Sequence, residues 1–215
     1  MVTIKLHGFR GSTCTNRVVL TCNEIGINYE LIQVDLVKGE HQQSQYLDNL
    51  QPFGVVPVLE EEDGSTIYES RAICRYLVAK YGKDSGLMPD VSDLRAYGLF
   101  EQAASVEYAA FDPSAHRLGK ERVVHKMMGI PANEALADSA EEILKLKLQG
   151  YERVLSKQKY LAGDRFTLAD LFHIPPGVNL DRYDPNIMRA NPNVKRWWED
   201  ISSRESCKKM LSPVF

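Results

Sequence analysis

Residues 51–73, QPFGVVPVLEEEDGSTIYESRAI, pack an apolar run, a tight turn and a helix start into one stretch, and the proline inside it restricts how the rest can fold. Val55, Val56, Val58 and Leu59 read as a strand, Asp63-Gly64 as a turn, residues 66–68 as a second strand, and Glu69-Ser70 as the opening of a helix. Pro57 has no N–H to give to a ladder, so it belongs at a strand start or a sheet edge. Two readings follow. Either Pro57 simply begins an edge strand, or the N–H and C=O of Val56 are left open for an extended, peptide-like ligand that adds as a strand.

Upstream, residues 2–7 alternate toward a strand, residues 8–11 form a loop, and residues 12–25 carry helical spacing through Val18, Val19, Cys22 and Ile25, with Gly26 placed to stop the helix. Residues 29–36 are a second strand, so the start is a right-handed βαβ unit with parallel strands. A short helix over residues 44–50, the hairpin and a helix over residues 70–81 complete the order βαβαββα. That order predicts a small mixed sheet with helices on both faces. Residues 82–93, GKDSGLMPDVSD, are loop-like, which predicts an α/β domain over residues 1–81, a linker over 82–92 and an all-α domain over 93–215. Helical spacing recurs over residues 94–117 and 133–156, while residues 118–131 read as a loop or a helix end. Thr167 and Asp170, with Phe166 ahead of them, form a capping box whose short helix is expected to stop at Pro175-Pro176. A last helix starts near Asn191-Pro192 and buries Val194, Trp197, Trp198 and Ile201.

The 215 residues carry a net charge of −3, which offers no basic field for nucleic acid. No apolar run is long enough for a membrane span or signal peptide, and Cys14, Cys22, Cys74 and Cys207 are scattered without a CxxC pair. A cytoplasmic protein with reduced thiols and no metal site is the expectation.

Three places could carry chemistry. Ser12 heads a helix after a glycine-containing loop, where it can cap, and where oriented N–H groups and a partial positive charge favour an anion such as a thiolate. Ser70, between Glu69 and Arg71, sits at a second helix start suited to a carboxylate, although capping and a surface ion pair also explain these residues. His41 lies on a polar loop, where a solvated side chain is the plain alternative. Together they suit an extended peptide with a carboxylate at each end and a thiol in the middle. That ligand description is glutathione.

The segments STCTNRV, KGEHQQ, QPFGVVPVL, YESRAICRYLVAKY and LAG followed by FTLAD resemble those of the cytosolic glutathione transferases, most closely the phi class of plants and fungi. The resemblance implies a thioredoxin-like domain followed by an all-α domain, and an enzyme that conjugates glutathione to hydrophobic electrophiles in detoxification, with peroxidase activity toward organic hydroperoxides as a second capability. It implies Ser12 as the hydroxyl that stabilises the glutathione thiolate. His41 with Gln42 or Gln43 would lie near the glycine carboxylate, Val56 and a cis Pro57 against the cysteinyl backbone, and Glu69, Ser70 and Arg71 at the γ-glutamyl group. An electrophile site lined by Phe9, Arg10, Tyr108, Phe111 and Phe172 is implied, as is a homodimer into which Phe53 inserts. Glutathione is then a co-substrate and no cofactor is needed. Where the family reads PFGQVP this chain has Val55, which removes a polar loop contact. Two rivals remain: a carrier of hydrophobic ligands with incidental turnover, and a thiol transferase acting through Cys14, two residues beyond Ser12.

Overall fold

The computed structural model describes residues 3–212. They form two compact units, one made of residues up to 88 together with those from 205 onward, the other of residues 89–204.

In the first unit, β1 (Thr3–Gly8), α1 (Thr13–Ile25), β2 (Asn28–Gln33), α2 (Ser44–Asn49), β3 (Val58–Glu60), β4 (Thr66–Tyr68) and α3 (Ser70–Tyr81) follow in the order expected from the sequence. The sheet order is β2-β1-β3-β4; β1 and β2 run parallel, and β3 is antiparallel to both β1 and β4. Ile4 and Leu6 are fully buried, whereas Lys5 and His7 on the alternate positions reach Glu60 on the neighbouring strand. Strand β2 ends at Gln33, short of the expected residue 36, because Asp35 turns the chain: its carboxylate accepts from the N–H groups of Val37 and Lys38, both at 3.0 Å. Strand β3 begins only at Val58, since Pro57 has no N–H for the ladder; the Val56-Pro57 bond is cis, as expected.

Helix α1 has the limits its sequence signals: the Ser12 side chain accepts from the Thr15 N–H at the start, and Gly26 adopts φ 70° at the end. A final helix, α11 (Glu205–Leu211), was not foreseen. It packs against α1, where Asn23 donates to the Ser206 carbonyl and Ser206 donates to Glu24. Residues 205–212 therefore belong to the first unit, where the sequence reading has a helical domain that runs on through them.

The second unit is helical. Helices α4 (Leu94–Val106), α5 (Asp112–Gly119) and α6 (His125–Met127) follow one another through two π-helical turns, Glu107–Phe111 and Lys120–Val124, as one interrupted rod. Residues 118–127 are thus helical. Leu118 and Val123 are buried, and buried Glu121 accepts from the Asn133 N–H at 2.9 Å. Helix α7 (Glu134–Leu155) is capped by the Asn133 side chain.

The capping box at Thr167 and Asp170 opens α8 (Leu168–Leu171). Pro175 and Pro176 do not end it; they lie in the first turn of α9 (Ile174–Tyr183), where a missing N–H has no intrahelical partner to lose. Helix α10 (Pro192–Ser202) buries Val194, Trp197, Trp198 and Ile201 completely, as its spacing predicts.

Candidate functional site

The loop before α1 is shaped by small residues and by Thr15. The buried Thr15 hydroxyl accepts from the Phe9 N–H at 3.2 Å, and a Cβ on Gly8 would lie 2.6 Å from Thr15 Cγ2. Ser12 N–H donates to the Phe9 carbonyl at 2.9 Å, and the Asn16 amide donates to the Arg10 carbonyl at 3.1 Å. The loop thus delivers Ser12, half-buried, to the first turn of α1, where the leading N–H groups have no intrahelical acceptors. The ring of Phe9 packs against a cluster of Val34, Tyr46, Val56 and Val58, which joins this loop to the cis-proline segment.

That segment is held from behind. Tyr46 Oη donates to the Val55 carbonyl at 2.8 Å, and burial pushes the Tyr46 phenol up to about 12, so it remains a donor. Fully buried Gln51 accepts the Phe53 N–H at 2.5 Å through Oε1, and its carbonyl takes the Gly54 N–H at 3.1 Å. Gln42 Nε2 donates to the Gly54 carbonyl at 2.9 Å, and only glycine suits position 54, because φ is 63° and a Cβ would meet Gln42 Nε2 at 2.5 Å. Among the described residues, the N–H and C=O of Val56 take no main-chain partner. The Val55 side chain is exposed.

The loop carrying His41 is set by Glu40, whose carboxylate accepts from the Asp35 N–H at 2.7 Å. His41 is half-buried and its Nδ1 has no hydrogen-bond partner among the described residues, whereas Gln43 is exposed. The amide of Gln42 is engaged by Gly54, so of the two glutamines it has a structural task.

At the start of α3, Glu69 occupies the cap position with φ 71° and ψ 105°, a conformation that costs a non-glycine residue of order 1–3 kcal/mol. Ser70 is therefore the first helical residue, not the cap. Its hydroxyl is buried and accepts from Arg17 Nη1 at 2.9 Å. The same nitrogen of fully buried Arg17 lies 3.6 Å from Cys14 Sγ, so one guanidinium touches residues at the starts of both α1 and α3. Arg71 is half-buried and Glu69 exposed.

The aromatic candidates divide. Phe9 is half-buried; Arg10 and Tyr108 are exposed. Phe111 and Phe172 have no exposed surface, and Phe111 packs on Tyr151 and His173 with ring centroids 6.0 and 4.6 Å away. These two phenylalanines are core of the helical unit and present no surface to a ligand. Phe53 is 72% exposed and meets Tyr68 edge-on at 6.2 Å. Sequence reasoning gave no role to Thr15, Arg17, Tyr46 or Gln51, which position the site. All are buried polar residues; Arg17 reaches Ser70 far along the chain, whereas Thr15, Tyr46 and Gln51 bond to nearby loop backbone, and helical spacing alone marks Arg17 and Thr15 only as facing inward.

The description "Glutathione S-transferase, N-terminal domain" fits residues 2–79, and "Glutathione S-transferase, C-terminal domain" fits residues 111–205. Glutathione S-transferase PM239X14 of Arabidopsis thaliana is 59% identical over 92% of this chain and 91% of its own length. Glutathione S-transferase hmp2 of Hypomyces subiculosus is 43% identical over 94% and 95%. Among solved structures, glutathione transferase F2 of Populus trichocarpa superposes with a TM-score of 0.90 at 36% identity, covering 96% of both chains. Glutathione S-transferase I from maize, in complex with an atrazine glutathione conjugate, superposes at 0.87 and 30%, covering 96% of this chain and 95% of that one. Two domain matches, extended identity and a shared fold make the chain a member of the glutathione S-transferase family, within its phi class.

Proposed function

We propose that this chain conjugates glutathione to hydrophobic electrophiles. The observation that carries the reading is the segment before β3: the Val56 backbone has no main-chain partner among the described residues, and the segment is tied through Phe9 to the loop that delivers Ser12. Glutathione would add there as an extended strand. The Ser12 hydroxyl and the first N–H groups of α1 receive its sulfur, the start of α3 at Glu69, Ser70 and Arg71 receives the γ-glutamyl carboxylate, and His41 with Gln43 lies toward the glycine end.

The chemistry is anion stabilisation and positioning. The bound thiol loses its proton to solvent, and the thiolate, stabilised by the Ser12 hydroxyl, attacks an electrophilic carbon. The C–S bond forms as the leaving group departs with its electron pair, and no covalent enzyme intermediate arises. Phe9 and Arg10, on the loop that carries Ser12, are the residues of the first unit that would meet the electrophile. Exposed Phe53 beside Tyr68 suits a homodimer contact, and four free cysteines suit the reducing cytoplasm.

A panel of chloronitrobenzene-type electrophiles tests this reading together with a crystal soaked in glutathione. Conjugation, with the tripeptide lying antiparallel to Val56, is the expected result; absence of both overturns the proposal. The proximity of Cys14 Sγ to the Arg17 guanidinium favours one rival, thiol transfer through Cys14. That rival requires activity to vanish in Cys14→Ser and to persist in Ser12→Ala.

A further inference from the structure

Arg17 is fully buried on α1, yet its contacts reach the starts of two helices. A guanidinium can only donate, so in the 2.9 Å contact from Arg17 Nη1 the Ser70 oxygen must be the acceptor. A serine hydroxyl carries one proton, and this contact directs that proton away from Arg17. Ser70 is the first residue of α3, where the leading N–H groups also lack intrahelical acceptors. The Ser70 proton and these N–H groups are both donors for an anion, with a positive charge fixed behind them in a water-poor interior. The contact at 3.6 Å to Cys14 Sγ connects the same guanidinium to the first turn of α1, which carries Ser12.

We infer that Arg17 is a positioning residue for recognition of the γ-glutamyl carboxylate: it fixes the donor direction of Ser70 and ties the α3 start to the α1 start. This rests on the proposed glutathione reading, in which Ser70 meets that carboxylate. The plain alternative is a buried arginine that only holds α1 against α3. A purely structural residue would affect all thiol ligands alike, whereas the positioning role is specific to ligands with the γ-glutamyl carboxylate.

The experiment measures, by calorimetry, binding of glutathione and of 4-aminobutanoyl-cysteinyl-glycine, which lacks that carboxylate. Wild type, Arg17→Met, Arg17→Lys, Ser70→Ala and the Arg17→Met/Ser70→Ala double variant are compared, with thermal unfolding of each. The expected result is that Arg17→Met weakens glutathione about tenfold and the analogue less than about twofold. Arg17→Lys, which keeps the charge without the fork, should recover part of the loss. In the Ser70→Ala background, Arg17→Met should add less than about twofold.

Equal losses for both ligands, or full additivity with Ser70→Ala, would overturn the role of Arg17. Should Arg17→Met fail to fold, Arg17→Lys decides by the same comparison of ligands. If Ser70→Ala leaves glutathione affinity unchanged, the underlying assignment of Ser70 is wrong and the inference falls with it. A loss in Ser70→Ala without one in Arg17→Met or Arg17→Lys rejects Arg17 alone.

Discussion

Tyr46 Oη donates to the Val55 carbonyl at 2.8 Å, so the peptide that leads into Val56 is held through its backbone. The Val55 side chain is exposed and contributes no polar group, but the peptide it belongs to is fixed by a buried phenol. Removing the phenol should loosen the segment that leads into Val56. Tyr46→Phe is expected to lower stability by about 1 kcal/mol and to raise the KM for glutathione several-fold, with a smaller change in kcat. Steady-state kinetics with glutathione varied, alongside urea unfolding, checks this; an unchanged KM would separate Tyr46 from the binding segment.

The turn between β3 and β4 is anchored by Glu61. Burial alone would raise the carboxyl of Glu61, but hydrogen bonds from Tyr81, Lys80 and Tyr76 outweigh it and hold the group below its ordinary value. The Tyr81 hydroxyl donates at 2.8 Å and Lys80 Nζ lies at 3.1 Å. A folded-state value below the unfolded value of 4.5 means that the unfolded chain binds the proton more readily. The contribution is therefore complete above pH 4.5 and is lost as the pH falls through the folded value. Glu61→Gln should cost about 1–2 kcal/mol at pH 7, and the difference from wild type should shrink below pH 4.5. Urea unfolding at several pH values measures it, and a pH-independent difference would argue against the carboxylate as its source.

Asp170 organises the helical unit. Its carboxylate accepts from the Leu161 N–H at 3.0 Å, the Thr167 N–H at 3.0 Å and Trp197 Nε1 at 2.9 Å. Burial raises its carboxyl above the usual value, and these donors counter the shift only in part. Between the unfolded and folded values the native state holds the extra proton, so this group's contribution weakens as the pH rises through that window. Asp170→Ala removes the acceptor of these three donors and of the Thr167 hydroxyl, which donates at 3.2 Å, and is expected to cost about 3 kcal/mol or more. Equilibrium unfolding of the purified variant tests this, and a loss below about 1 kcal/mol would show that water replaces the carboxylate.

Local signals proved legible where a residue's role is decided by its chain neighbours. Ser12 and Gly26 bracket α1, and Thr167 with Asp170 opens α8, because cap chemistry is contained within a few residues. Pro175 and Pro176 misled, since the same rigid φ that stops one helix starts the next. The α11 helix went unseen because it is short and is secured by α1, far away in sequence, through Glu24 and Ser206. The site divides the same way. Ser12, Pro57 and Ser70 stand out in local motifs, whereas Arg17 is a buried polar residue whose partner, Ser70, lies far along the chain where spacing does not reveal it. Phe111 and Phe172 failed as pocket residues because helical periodicity marks an inward face without distinguishing core from cavity.

The central claim is that the Ser12 hydroxyl at the head of α1 holds the sulfur of glutathione as a thiolate. Ultraviolet difference spectroscopy of the enzyme–glutathione complex across pH follows the thiolate directly, without an electrophile. The wild-type complex should ionise roughly 1.5–2 pH units below the free thiol at about 8.5, and Ser12→Ala should return the midpoint to within about half a unit of the free value while glutathione still binds. A Ser12→Ala complex that ionises at the wild-type pH would contradict the account.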